Sequence, residues 1–358
     1  MIGIIDADLL CGRQRNFPNL AAMKLSAFHK QKGNDVRLLS SYTLPKSVQR
    51  VYVCCVFTNS AKSVPPAFLD SPRVRYGGTG FFFDKAKPLQ PAIEHTRPDY
   101  TLYDEWIASK GMLPLDAKHY TDTSIGFLTR GCFRRCEFCV NRRYKRAVAA
   151  SPLSEFYDPN RHYVCLLDDN LLAYRNHREL LTELAETCER DKTQFTLKQG
   201  IDIRILKPTT AKLLGSPAHF GEIIFAFDSL RDTDATRKGM TVLRDALPTK
   251  GAKAYVLCGF ESQDALDIAG VFRRLEILWE YNCLGYVMRH ESHKQAPLVC
   301  RAFYTVLAMW ANQPRFQRSV SFRQFTKIIG GKSLRSATAF ERQYPAIAER
   351  FFDVSYRQ

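Results

Sequence analysis

Three cysteines crowd into eight residues of this 358-residue chain: Cys132, Cys136 and Cys139, spaced C-x3-C-x2-C. Three thiolates on one short loop can grip an iron–sulfur cluster or a zinc ion, but they leave one coordination position to another ligand. A zinc site wants a fourth Cys or His nearby, and after Cys139 none follows until His162. An iron left open is what a cluster that binds a small molecule needs. The chain has eleven cysteines in all, and the other eight are scattered. Cys165 and Cys258, set among apolar neighbours, read as small buried hydrophobes. The opening segment has no basic region followed by an apolar stretch, so no secretory signal is expected, and with it no disulfide framework.

The loop follows directly on an apolar strand expected at 123–128. Further strands are expected at 163–167, 194–197, 222–227, 253–257 and 284–288, with helices at 177–190, 209–214, 232–243 and 264–281 between them. Such alternation implies a parallel sheet with right-handed crossovers, either open or curled into a partial barrel. Residues 1–95 show a smaller Rossmann-like βαβ pattern: a strand at 2–5, a helix from Pro18-Asn19 through His29, and strands at 35–40 and 51–57. The Gly- and Pro-rich stretch 74–97 reads as loop, and 96–120 as a linker. From 297 to 358 the chain reads as a helical, basic extension, with nine Lys or Arg against three Asp or Glu over 315–358.

The segment Thr129-Arg130-Gly131-Cys132-Phe133-Arg134-Arg135-Cys136-Glu137-Phe138-Cys139, with its aromatic before the last cysteine, resembles the cluster-binding motif of the radical S-adenosylmethionine superfamily. The resemblance implies a partial (βα)6 TIM-like barrel over 121–296 and a [4Fe–4S] cluster on the three cysteines. S-adenosylmethionine would chelate the unique iron through its amino and carboxyl groups. One electron, from a reductant such as flavodoxin or ferredoxin, would cleave it to a 5′-deoxyadenosyl radical for C–H modification. The run Asp168-Asp169-Asn170 is similar to the family segment that meets the cofactor's amino group. Gln199 and Arg204 are candidates for its ribose or carboxylate, Asp228 for ribose hydroxyls, Gly259 for the surroundings of adenine, and Phe138 belongs to the motif itself. The same residue types also make strand-end turns, ion pairs and helix caps. The first 95 residues resemble the cobalamin-binding-type half of one subgroup. However, the loop Asp6–Gly12 lacks the Asp-x-His-x-x-Gly that ligates cobalt, so cobalamin is not expected to be required.

Lys and Arg number 52 against 36 Asp and Glu, a formal charge of +16. Part of this excess surrounds the cysteines at Arg134, Arg135, Arg142, Arg143, Lys145 and Arg146, with Tyr144 interleaved. A polyanionic substrate is therefore expected, nucleic acid ahead of a peptide or small metabolite. The competing class is a zinc-stabilised nucleic-acid-binding protein without catalysis. Gly330-Gly331-Lys332-Ser333 lacks the first glycine of a phosphate loop, Thr326 standing in its place, and reads as a turn before a helix. No apolar run is long enough to cross a bilayer, so a cytoplasmic enzyme is expected.

Overall fold

Asn19 opens the first long helix by accepting a hydrogen bond from the Ala22 N–H (3.2 Å), the local signal its position predicts. That helix, α1 (Leu20–Gln31), turns Met23 and Leu25 into the core. The computed structural model describes residues 1–11 and 17–356; Gly12, which closes the expected cobalt-ligand loop, lies outside the described residues. The chain divides into two compact units, Met1–Lys198 and Gln199–Gln358. The division falls within the stretch 121–296 expected to form one barrel.

In the first unit, β1 (Ile2–Asp6), β2 (Val36–Leu38), β3 (Arg50–Cys54) and β4 (Val74–Gly77) form a parallel sheet in the order β2-β1-β3-β4. Chain order reverses between β1 and β3, as in open α/β sheets that bind ligands at the strand ends. Strand β4 corrects the reading of 74–97 as loop. It lies at the sheet edge, where Val74 is buried but Arg75 and Tyr76 are exposed, so no apolar run announces it. The expected linker also folds. Helices Asp104–Lys110 and Pro114–Thr121 deliver Tyr120, and the turn before them delivers Leu102 and Tyr103, to the core beneath α1.

The same unit holds a second parallel sheet, β5 (Thr123–Gly126), β8 (Tyr163–Leu166) and β9 (Gln194–Leu197) in that order. Between β5 and β8 the chain makes an antiparallel ribbon, β6 (Thr129–Arg130) with β7 (Val148–Ala149). Helix α2 (His177–Arg190) connects β8 to β9.

The second unit is built on β10 (Ile223–Ala226), β11 (Ala252–Cys258) and β12 (Leu284–Arg289), again parallel. Helices α3 (Pro208–Leu214), α4 (Thr233–Ala246) and α5 (Ala265–Trp279) alternate with them. All six expected strands are thus present in chain order, as two three-stranded parallel sheets. The basic extension forms α6 (Leu298–Ala311), α7 (Phe322–Ile329), α8 (Gly331–Gln343) and α9 (Pro345–Phe351), with a short helix at Pro314–Ser319. It belongs to the same compact unit as β10–β12, because Phe272 of α5 packs against Phe303, Trp310 and Phe322. The Gly330-Gly331 pair is the expected turn before a helix. Among the described residues, no helix is long and apolar enough to cross a membrane.

Candidate metal centre

The cysteine loop is an excursion from the β6–β7 ribbon, closed at its base by the pairing of Thr129 with Ala149 and Arg130 with Val148. Gly131 enters it at φ +95°, where a Cβ would come within 2.6 Å of the Arg146 carbonyl and 2.8 Å of the Tyr144 side chain. Only glycine lets the returning segment lie this close. Inside the loop Arg135 takes φ +52°, a left-handed conformation that costs a non-glycine residue about 1 kcal/mol or more. It turns the chain between Cys132 and Cys136.

Three side chains from the end of β8 organise this loop. Asp168 is buried and accepts from the Leu128 N–H (3.1 Å), the Thr129 N–H (2.6 Å) and the Thr129 hydroxyl (2.7 Å). Burial pushes its carboxyl up to about 6, partly opposed by those donors. Asp169 spans the loop: one oxygen accepts from the Gly131 N–H and the other from the Asn141 side chain, both at 2.6 Å. Arg130 lies 3.3 Å from the same carboxylate. Asn170 donates to the Cys132 sulfur at 3.3 Å. Backbone N–H groups of Arg134 and Asn141 point at the sulfurs of Cys132 and Cys139, each at 3.4 Å.

The donor set suits iron in its chemistry. Cys132, Cys136 and Cys139 are half-exposed, whereas seven of the remaining eight cysteines are buried. Burial pushes the thiols of Cys55, Cys165 and Cys258 up to about 12, away from the thiolate that binds metal. N–H donors aimed at sulfur are the outer contacts that tune an iron–sulfur centre. As the chain stands, no three His, Cys, Asp or Glu side chains among the described residues are gathered to hold a metal ion. Ligation would have to draw the three sulfurs together.

The first unit therefore brings Asp168, Asp169 and Asn170 to the cysteines, and Phe138 sits half-buried within the same loop. The other expected site residues lie in the second unit. Gln199 is exposed there. Arg204 is engaged by Asp202 and Asp232, each at 2.7 Å. Asp228 accepts from the Leu257 N–H (3.2 Å), and its backbone carbonyl, like those of Phe227 and Leu257, accepts from the buried Arg274. Burial raises the Asp228 carboxyl. Gly259 is left-handed (φ +69°), and a Cβ there would meet the His293 side chain at 2.6 Å. Its missing side chain thus makes room for a neighbour in its own unit.

Sequence reasoning missed Asn141 and Gly131 as partners of Asp169, and no local signal marks them. It also offered Arg142 and Arg143 to a polyanion. In the structure Arg142 pairs with Asp84 at 2.5 Å, and Arg143 donates to the Ala86 carbonyl. Both stitch the cysteine loop to the segment after β4. No known protein-family model matches the chain, and no curated protein matches it.

Proposed function

We propose that the chain is a radical S-adenosylmethionine enzyme, with Cys132, Cys136 and Cys139 as the ligands of a [4Fe–4S] cluster. One observation carries the reading: a carboxylate from the end of the neighbouring parallel strand fastens both ends of the three-cysteine loop. Such a clasp is what a loop that must present three thiolates to one centre requires. The placement at the C-terminal ends of parallel strands, where α/β folds keep their sites, supports it further. A partial barrel formed by the six strands is part of this proposal.

When bound, the cluster supplies the electron that cleaves S-adenosylmethionine, and a flavodoxin or ferredoxin is the proposed source of that electron. The protein's part is to position. Asp168 fixes the strand end and Asp169 the loop, while Asn170 and the N–H groups of Arg134 and Asn141 temper the sulfur charge. Asn170 and Asp169 stand beside Cys132 as candidates to orient the cofactor's amino group. Cobalamin has no proposed role. For the substrate, the charge around the loop favours nucleic acid over a peptide or small metabolite, through Arg135, Lys145 and Arg146, which are exposed.

The test is anaerobic reconstitution of the full chain with iron and sulfide, followed by reduction in the presence of S-adenosylmethionine. The expected outcome is a brown protein absorbing near about 400 nm that releases 5′-deoxyadenosine. A colourless protein that retains zinc and releases none would establish the non-catalytic alternative instead.

A further inference from the structure

The first unit has a second concavity, separate from the cysteines, of about 890 Å³. That volume is within the range of small-ligand sites. Its floor is the face of β3 and β4 bearing Arg50, Tyr52 and Arg75, with Tyr52 opposite Arg75 in the register. Helix α1 makes one wall with Leu25 and Phe28, continued by Lys32 just past its end. The chain returning from β4 makes the other with Phe82, Lys85 and Lys87. The groove thus lies over the part of the sheet that α1 leaves uncovered.

Two features define what it can hold. The first is charge. The lining carries Lys32, Arg50, Arg75, Lys85 and Lys87 and no carboxylate. Among the described residues these five have no ion-pair partner, whereas the nearby Lys24, Lys30, Arg37 and Arg142 are each paired with an acid. Arg75 donates only to backbone carbonyls, at Pro72 and Val74. His29, also on the lining, has its pKa lowered by burial and then by Lys32 and Arg50, as a positive pocket requires. Five cations lining one groove without a carboxylate among them give it a positive potential, which favours an anion.

The second feature is flat aromatic surface. Phe82 lines the groove and is 41% exposed; it stacks at 5.6 Å on Tyr76, whose side chain alternates to the face of β4 opposite Arg75. Tyr52 lies 5.2 Å from the His29 ring and accepts or donates a hydrogen bond with it at 3.1 Å. Exposed rings beside cations, here Phe82 and Tyr52, are how proteins receive a planar base attached to phosphate. A purely inorganic anion would leave the aromatic wall unused, and a neutral ring would leave the cations unbalanced.

We propose that this groove binds a nucleotide, with the base against Phe82 and Tyr52 and the phosphate among Arg50, Arg75 and Lys87. The nucleotide could be free or one unit of a nucleic acid, since the recognised chemistry is the same. The proposal is independent of the iron chemistry above, so its test uses the full chain without added iron or S-adenosylmethionine.

Calorimetric titrations at low salt would compare AMP, GMP, CMP and UMP with adenosine, with inorganic phosphate, and with a single RNA strand of about ten nucleotides. At least one mononucleotide is expected to bind about tenfold or more tightly than either adenosine or phosphate. Arg50→Glu with Lys87→Glu should weaken it by about tenfold or more while thermal unfolding is unchanged. Should that pair perturb folding, Lys87→Glu alone, at an exposed position, and Phe82→Ala serve the same purpose. An RNA strand that binds more tightly and displaces the mononucleotide identifies nucleic acid as the source; one that does not displace it identifies the free nucleotide. No binding by either, phosphate binding equal to the nucleotide, or affinity undiminished in every variant would overturn the assignment.

Discussion

The sheet β5-β8-β9 and the sheet β10-β11-β12 are built alike, yet they commit the polar residues at their strand ends differently. After β8, Asp168 and Asp169 are directed onto another segment: they hold Leu128 to Gly131 and reach Asn141 across the cysteine loop. After β10, Asp228 accepts from the Leu257 N–H of the adjacent strand, and side chains of α5 hold the ends of β10 and β11. Arg274 gathers the carbonyls of Phe227, Asp228 and Leu257, and Asp267 holds the Gly259 N–H at 2.8 Å and the Tyr304 hydroxyl at 2.7 Å. Carboxylates at strand ends are therefore no guide to a site in themselves. What distinguishes the two regions is whether the group held is a chemically empty strand end or a loop carrying thiols.

The contrast is broken most completely at the cysteines. Changing Cys132, Cys136 or Cys139 to Ala should abolish iron binding, read as loss of the visible absorbance. The same change at buried Cys165 should leave iron content intact. Equal iron loss in all four variants would erase the distinction between loop and core thiols.

On the other side, Arg274→Ala should destabilise the second unit by about 3–5 kcal/mol in urea unfolding, because it leaves several buried carbonyls without a donor. Iron content of the folded protein should be unchanged. A loss of iron without a loss of stability would reverse the roles assigned to the two regions.

A pH series sharpens the comparison. The Asp168 carboxyl is raised by burial from 3.8 to about 6, so its contribution to stability is fully present below about pH 4 and is lost as pH rises through 6. The lost stability amounts to about 3 kcal/mol at most. Asp168→Asn should flatten unfolding free energy between those pH values. An unaltered slope would mean that Asp168 is not the group titrating there.

The smallest effect concerns Asp169. Asp169→Ala should lower affinity for iron by about 10–100-fold, as loss of an outer contact to a metal loop does, without unfolding the chain. Asp228→Ala should leave iron affinity where it was. Anaerobic iron titration with circular dichroism on the same samples separates the outcomes.

The cysteine loop, α1 and the six alternating strands were legible because each has a local cause: thiol spacing, an Asn cap, apolar runs of strand length. Strand β4 was not, since an edge strand shows only Val74 to the core. Helices 104–110 and 114–121 were missed because few of their residues are buried and neither has a side-chain cap. At the site, the residue types Asp168, Asp169 and Asn170 could be singled out from sequence, but their partners could not. Asn141 and Gly131 meet Asp169 across 28 and 38 residues of chain, a distance over which periodicity carries no information. The pairing of Arg204 with Asp232 has the same origin, 28 residues apart.

The clasp of Asp169 on Gly131 and Asn141 also bears on how metal is acquired. A free loop that long must surrender conformational entropy to bring three ligands to one ion, and the loss comes out of the binding free energy. Here ribbon β6–β7 and the carboxylate join the loop's ends through contacts that need no ion. Only the turns between the thiols remain to be ordered, which is the chelate effect obtained from the backbone. Were the loop to bind iron as proposed, the fold would precede its metal: the chain would stay folded without it, and iron would be taken up and lost locally, without the whole molecule opening.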